Sequence, residues 1–555
     1  MADETPPTDD APATDQSDES SLPGAPLSLW LATNPETRYD PLTEPTEVDV
    51  AVCGGGIVGL TAAKQVADAG YSVAVLERDR IVTGVTGHST AKLTAQHGLK
   101  YDTIRSKHGP ETARQYAAAN QAAIEHVAGR VRQWNVDCDF ERRPAIMYTE
   151  QAGRRSKLRD EREAAWEAGI SATADDAIPF TTAAEAGVRF DEQAQYDPRA
   201  YLLRLADEIE STGGHIYEGT NVTGVSGGDP YRVETELAAA EAGEAKAADE
   251  TVKTTGSEST ATVEADQVIL ATHFPVQDRL GLFARLFPKQ SYVLAARTAG
   301  EPPEGMYYRV DDPYFSVRSA TLDGEELTLI GGQNHKTGQG GDTADRYRAL
   351  EAEAREHFEI QEIVYRWSTQ DYVSVDGIPY VGRGGPLADE LYIATGFGGW
   401  GMSNGVAAGL QLADMVRGRE TPWQRAFDPR RVTVAESAEK LLTESANEGG
   451  QFIRGWMKHA RADPTELQPD EAAVYGREGN PIAAYRDPDG ELHTRSAVCP
   501  HMGCVVEFNP AERSWDCPCH GSRFRADGSV FDGPAIEGLS TVEYPTPESD
   551  TDPDR

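Results

Sequence analysis

The sequence predicts an α/β fold joined to a small all-β module, and three observations carry that expectation. An apolar run at residues 48–53 leads straight into Gly54-Gly55-Gly56-Ile57-Val58-Gly59 and then a helical stretch over 60–69. Apolar strands such as 267–271 and 390–394 alternate with helical stretches such as 111–130 as far as about residue 431, the pattern of helices layered on sheet. Beyond Pro464 the pattern changes to short strands parted by turn signals, of which Asp487-Pro488-Asp489-Gly490 is the clearest.

Taken in order, residues 1–45 read as a disordered acidic leader and lead-in, and 46–431 as the α/β domain. Within it, 226–263 is an Ala/Glu/Thr/Gly-rich stretch with little to bury, expected to be an acidic surface insertion in the form of a solvated hairpin or loop. Residues 432–465 read as a helical linker broken at Gly449-Gly450, 466–547 as the all-β module, and 548–555 as a tail.

The 555 residues carry 91 Asp+Glu against 52 Lys+Arg, a net charge of −39, with 39% hydrophobic residues. Such a chain exceeds one ordinary core and is too apolar to be wholly disordered. Its charge opposes phosphate backbones and anionic lipid, so neither nucleic acid nor a membrane surface is an expected partner. The basic residues are 11 Lys and 41 Arg, and this imbalance with the acidity resembles proteins of extreme halophiles. At about 1 M salt the Debye length is about 3 Å, so carboxylate repulsion is screened.

No run approaches the ~18 apolar residues of a membrane helix, and residues 1–20 lack the basic and apolar regions of a secretory signal. A cytoplasmic protein with no transmembrane segment is expected. Cys53 and Cys138 stand alone as small core residues, while Cys499, Cys504, Cys517 and Cys519 crowd together, an arrangement unlike a secreted disulfide scaffold.

The first motif is a nucleotide site. Gly54 permits a tight turn, Gly56 lets backbone amides such as those of Gly55 and Ile57 approach a pyrophosphate, and Gly59 lets helix and strand pack closely. The next strand, 72–76, ends in Glu77, where a ribose hydroxyl pair is usually held; an acid there argues against NADP. The motif alone leaves FAD and NAD open.

Residues 46 to about 430 resemble the FAD-dependent oxidoreductase superfamily of D-amino-acid, glycine and sarcosine oxidases. The resemblance rests on the Gly-rich turn and on several further segments in order. These are residues 83–98, Tyr196-Asp197-Pro198, residues 214–225 and 268–272, Val375-Asp376-Gly377-Ile378-Pro379, and 394–403. It implies a Rossmann-type FAD-binding domain with an inserted mixed-sheet substrate domain. It places Ser89 and Thr90 near the pyrophosphate, Val222 near the adenine, and Gly396, Gly398, Gly401 and Met402 near the flavin ring. The last segment runs from a strand through glycines into a helix, whose N-terminus can stabilise negative charge.

The second motif is Cys499-Pro500-His501-Met502-Gly503-Cys504, then twelve residues, then Cys517-Pro518-Cys519-His520-Gly521-Ser522. Two loops each bring a thiolate and an imidazole, which suits a [2Fe-2S] cluster with two Cys on one iron and two His on the other. A zinc site and a pair of structural disulfides are the rival readings. The segment closely resembles Rieske proteins over about residues 466–545. That resemblance implies Cys499 and Cys517 on one iron, His501 and His520 on the other, and a disulfide between Cys504 and Cys519. Ser522 matches a hydroxyl that donates to a cluster sulfur, and Phe524 replaces the family's usual Tyr. Losing that donor predicts a potential in the middle of the Rieske span of about −150 to +300 mV.

A flavin accepts two electrons as a hydride and a Rieske centre carries one at a time. Joining them predicts oxidation of a C–N bond in an amine or amino acid, with electrons leaving to an external one-electron acceptor such as a ferredoxin or quinone-linked carrier. A reductase fed by a carrier and a non-catalytic redox sensor are the alternatives. Relatives that oxidise amino acids commonly hold the carboxylate with Arg, yet residues 368–375 and 396–405 contain none. Arg318, His335 and Lys336 are candidates for the pocket or for surface salt bridges; His88 and His97 border the pyrophosphate segment.

Overall fold

In the computed structural model, residues 22–238, 261–385, 390–431, 435–457, 464–477 and 480–543 are described. A first sheet runs in the order Tyr380–Arg383, Leu391–Thr395, Thr262–Leu270, Thr46–Cys53, Val73–Leu76, His215–Tyr217. Its central strands pair parallel, Val52 opposite both Val75 and Ile269. Fully buried positions along Thr46–Cys53 and Val73–Leu76 explain their near-continuous apolar runs, because a parallel sheet is covered on both faces.

Helix Ile57–Ala67 covers this sheet and is itself packed under helix Gly401–Val416. The close approach requires glycine: a Cβ at Gly405 would lie 2.7 Å from Ile57 Cγ2, and one at Gly409 2.7 Å from Thr61 Cβ. A second, mixed sheet of nine strands, built around Leu286–Thr298 and Ile360–Ser374, stands against the first domain. The C-terminal module is all-β, with a three-stranded sheet from Ala472 to Ser496 and a four-stranded sheet from Glu507 to Asp532. Among the described residues no helix is long and apolar enough to cross a membrane.

The structure refines three expectations. Of the 1–45 leader and lead-in, residues 22–45 are structured. Leu29, Trp30 and Leu42 are buried, and Trp30 Nε1 donates to the Ser89 carbonyl at 2.7 Å. Residues 1–21 and the tail, 548–555, lie outside the described residues. The stretch 226–263 begins as a hairpin, Thr220–Gly227 with Tyr231–Leu237, whose Tyr231 and Val233 are buried where the second strand pairs with Thr262–Leu270. Its low-complexity centre, 239–260, lies outside the described residues. Finally, helix Ala435–Met457 runs unbroken through Gly449-Gly450. Tertiary contacts hold it: Lys336 Nζ pairs with Glu444 at 2.5 Å, and Trp456 Nε1 donates to the Gly503 carbonyl at 3.2 Å.

Candidate functional site: a shared cavity and a cysteine-histidine cluster

A cavity of about 300 Å³ opens at the C-terminal ends of the parallel strands, where ligands of open α/β sheets sit. Gly54, Gly56, Ile57, Glu77, Ser89, Thr90, Val222, Gly401 and Met402 all line it. Gly54 holds φ +108°, and a Cβ there would meet the Ala271 carbonyl oxygen at 2.5 Å. Gly56 caps helix Ile57–Ala67 without a side chain, and the Ile57 N–H donates to Thr86 Oγ1 at 3.2 Å, so a small backbone and hydroxyl cradle at a helix N-terminus faces the cavity. The walls therefore fit a dinucleotide pyrophosphate.

Four of the expected binding glycines support the wall rather than form it. Gly55 donates its N–H to Glu77 Oε2 at 2.7 Å, and a Cβ at Gly59 would lie 1.9 Å from the Gly54 carbonyl oxygen. Gly396 turns the chain at φ +82° against Leu286, and Gly398 donates its N–H to the Tyr372 carbonyl at 2.9 Å. Glu77 also accepts from the Asp79 amide at 3.0 Å. Burial, with Asp79 adding to it, raises its pKa against these two amides. The carboxylate thus organises the loop as well as facing the cavity.

The candidates offered for a substrate pocket lie elsewhere. Arg318 is fully buried rather than a surface ion, donating to the Ala91 and Ser319 carbonyls at 2.7 Å each, and burial pushes its pKa down to about 10. His335 bonds the Tyr292 hydroxyl at 2.8 Å, and Lys336 holds the helix at Glu444. His88 does line the cavity; His97 is buried between Tyr116 and Thr94 and stacks on Trp400 at 4.7 Å. Residues the sequence did not single out supply the polar wall beside Gly399: Ser291, Tyr314 and Asp371. Lys289 stands directly across the strands from Asp371. Burial raises the Asp371 pKa and lowers that of Lys289.

The two cysteine-histidine loops share one backbone plan. In each, the leading Cys donates its N–H five residues on, Cys499 to Cys504 and Cys517 to Ser522, both at 2.8 Å. Each also turns through a left-handed glycine, Gly503 at φ +77° and Gly521 at φ +75°. The Cys499 and Cys517 thiols hydrogen-bond each other, which draws the Cys499 pKa down and pushes that of Cys517 up. The rings of His501 and His520 stand 5.0 Å apart at 89°. Nε2 of His520 faces Glu448 at 3.5 Å, which leaves its Nδ1 for a metal. Cys504 and Cys519 are joined by a disulfide across the loops. Two thiols and two imidazoles converging from tied loops fit a [2Fe-2S] cluster. The Ser522 hydroxyl lies against the Cys499 sulfur and accepts from the Ala535 amide at 3.2 Å, while Phe524 is buried without a donor.

The cluster loops are seated on the α/β domain. Phe283 packs edge-on against both imidazoles, at 6.2 Å from His501 and 5.7 Å from His520. Tyr372 donates from its hydroxyl to the His520 carbonyl at 3.2 Å, and Gln370 Nε2 donates to the Gly521 carbonyl at 2.9 Å. Arg523, Val530, Phe531, Asp532, Gly533, Ala535 and Ile536 of the β module form part of the wall of the same cavity that the glycine turn lines.

Residues 49–415 match the FAD dependent oxidoreductase family, and residues 456–543 match the Rieske [2Fe-2S] domain. A putative Rieske 2Fe-2S iron-sulfur protein of Bacillus subtilis, YhfW, is 34% identical over 520 residues, covering 94% of this chain and 98% of its own length. The gamma-glutamylputrescine oxidoreductase of Escherichia coli is 24% identical over 401 residues, 69% of this chain and 87% of that protein. Among solved structures, glycine oxidase from Geobacillus kaustophilus shares the fold over 70% of this chain and 100% of its own, with TM-score 0.55 at 20% identity.

Proposed function

Because the chain belongs to the FAD dependent oxidoreductase family and carries a C-terminal Rieske [2Fe-2S] domain, we propose that it oxidises a C–N bond of an amine or amino acid and passes the electrons through the cluster to an external one-electron acceptor. The observation that carries this reading is the common wall: residues from both domains enclose one cavity. Bound FAD supplies hydride acceptance and the [2Fe-2S] cluster supplies one-electron carriage. Gly54, Gly56 and Ile57 would hold the pyrophosphate, Glu77 the ribose, and Cys499, His501, Cys517 and His520 the irons.

Asp371, half-buried beside Gly399 at the cavity wall, receives the substrate's ammonium group, while Ser291 and Tyr314 orient it and the apolar wall excludes water. Recognition of an amine by a carboxylate agrees with the lack of Arg in 368–375 and 396–405, and with the amine named for the Escherichia coli relative. Phe283, edge-on to both imidazoles, and Tyr372, bonded to the His520 carbonyl, seat the cluster loop on the flavin domain.

Anaerobic mixing of the holoenzyme with a panel of amines and amino acids tests the reading. Bleaching of the visible flavin band, followed by the reduced-Rieske EPR signal, is the expected result. Absence of bleaching with every compound would overturn it.

A further inference from the structure

His273 follows strand Thr262–Leu270 and its backbone is held at φ +62°. That left-handed conformation costs free energy for a residue other than glycine, and such strain collects at functional sites. Thr395 Oγ1 fixes the turn by donating to the His273 carbonyl at 2.6 Å. The ring packs 4.8 Å from that of Tyr372, and its Nδ1 lies 3.1 Å from Asp532 Oδ1 of the Rieske domain. The second Asp532 oxygen accepts from Gln370 Nε2 at 2.9 Å, and the Gly533 amide of the Rieske domain donates to Oδ1 at 2.7 Å, so the carboxylate is oriented from both sides of the domain boundary. His273 and Asp532 both line the dinucleotide cavity, and His273 Nε2 is a buried ring nitrogen with no hydrogen-bond partner among the described residues.

We propose that Asp532 is a positioning residue for the FAD site: by engaging Nδ1 it orients His273 so that Nε2–H is donated to an acceptor atom of the bound cofactor. FAD binding then depends on a residue of the other domain. The inference rests on the bound dinucleotide and is independent of the substrate reading.

The surrounding charges favour the donor form. Burial pushes the imidazole towards neutrality, but Asp532, its hydrogen bond and Asp371 outweigh it and raise the His273 pKa. Burial likewise opposes charge on Asp532, and His273, Arg523 and Arg78 overcome it. The groups facing the pair are thus Asp371 and Tyr372 from strand Ile360–Ser374, Arg523 from the Rieske domain, and Arg78 after strand Val73–Leu76. A charged imidazole carries a proton on each nitrogen, so Nε2 can donate while Nδ1 serves Asp532. The acceptors that FAD can present to an N–H donor include phosphate oxygens and the carbonyls and nitrogens of its ring system, and the two classes are told apart by the test.

The test measures FAD dissociation and the flavin midpoint potential of the holoenzyme between about pH 6 and 9, the range bracketing a raised histidine pKa. In the wild type, affinity falls as pH rises through the His273 pKa, because Nε2 loses its proton. Asp532→Asn is expected to weaken retention about tenfold and flatten that profile, with Asp532→Glu restoring it. His273→Gln, confined to the flavin domain, is expected to flatten the profile even if Asp532→Asn fails to fold. A ring acceptor shifts the potential in both variants; a phosphate acceptor shifts affinity alone. A wild-type pH profile in His273→Gln, or in Asp532→Asn with its Rieske EPR signal intact, would overturn the proposal.

Discussion

Glu77 shows how one side chain serves two levels of structure. It was placed by counting from the glycine turn, and the structure adds that its two oxygens accept the Gly55 and Asp79 amides. Glu77→Ala is expected to weaken FAD retention by about 1–3 kcal/mol, since the ribose hydroxyls lose their acceptor; unchanged affinity in a titration of apoprotein with FAD would refute the ribose placement. His97 behaves oppositely to a surface histidine. Burial lowers its pKa to about 3, and its ring bonds Tyr116 and Thr94 as the neutral form. The unfolded chain, near pKa 6.5, binds the proton that the folded chain refuses, so stability is lost as pH falls from about 6.5 towards 3. Denaturant unfolding of wild type and His97→Gln should show the wild-type advantage shrinking as pH drops from about 7 to 5. Neither the backbone bonds of Glu77 nor the burial of His97 was legible in the sequence, because both depend on segments brought together by the chain's return.

At the scale of elements, strands and helices were legible where the pattern was strong. The apolar run, glycine turn and helix at residues 46–67 formed because each local preference agrees with burial on a parallel sheet. Gly449-Gly450 was expected to end a helix because glycine lowers helix propensity, yet Glu444 and Trp456 anchor the helix on either side. A Cβ at Gly449 or Gly450 meets nothing within 4 Å. Replacing both by Ala should stabilise the protein by about 1–2 kcal/mol, seen as a raised thermal midpoint; a lowered midpoint would mean that the helix needs that bend. The hairpin ending in Tyr231–Leu237 agrees with the expected surface hairpin, but burial of Tyr231, Val233 and Thr235 on its second strand was not legible, because alternate burial there depends on pairing with Thr262–Leu270.

Across the whole molecule, two cofactor sites share a seam in which several bonds are made by residues other than the iron ligands. Gln370, Arg78 and Arg525 bridge it, Arg78 to the Phe531 carbonyl at 2.6 Å and Arg525 to Asp79 at 2.8 Å. His501→Ala should consequently abolish the Rieske EPR signal while the protein keeps its flavin absorbance. Joint loss of flavin would show that the domains fold as one unit. The sequence by itself determined the two chemistries, since a glycine turn beside an acid-ended strand and paired Cys-His loops are local patterns whose spacing does the chemistry. Only the tertiary structure decided that they meet. His273 and Asp532 are 259 residues apart, and Tyr372 reaches His520 across 148. A single His, Asp or Tyr carries no pattern along the chain, so packing of the two domains alone sets which of them face one cavity.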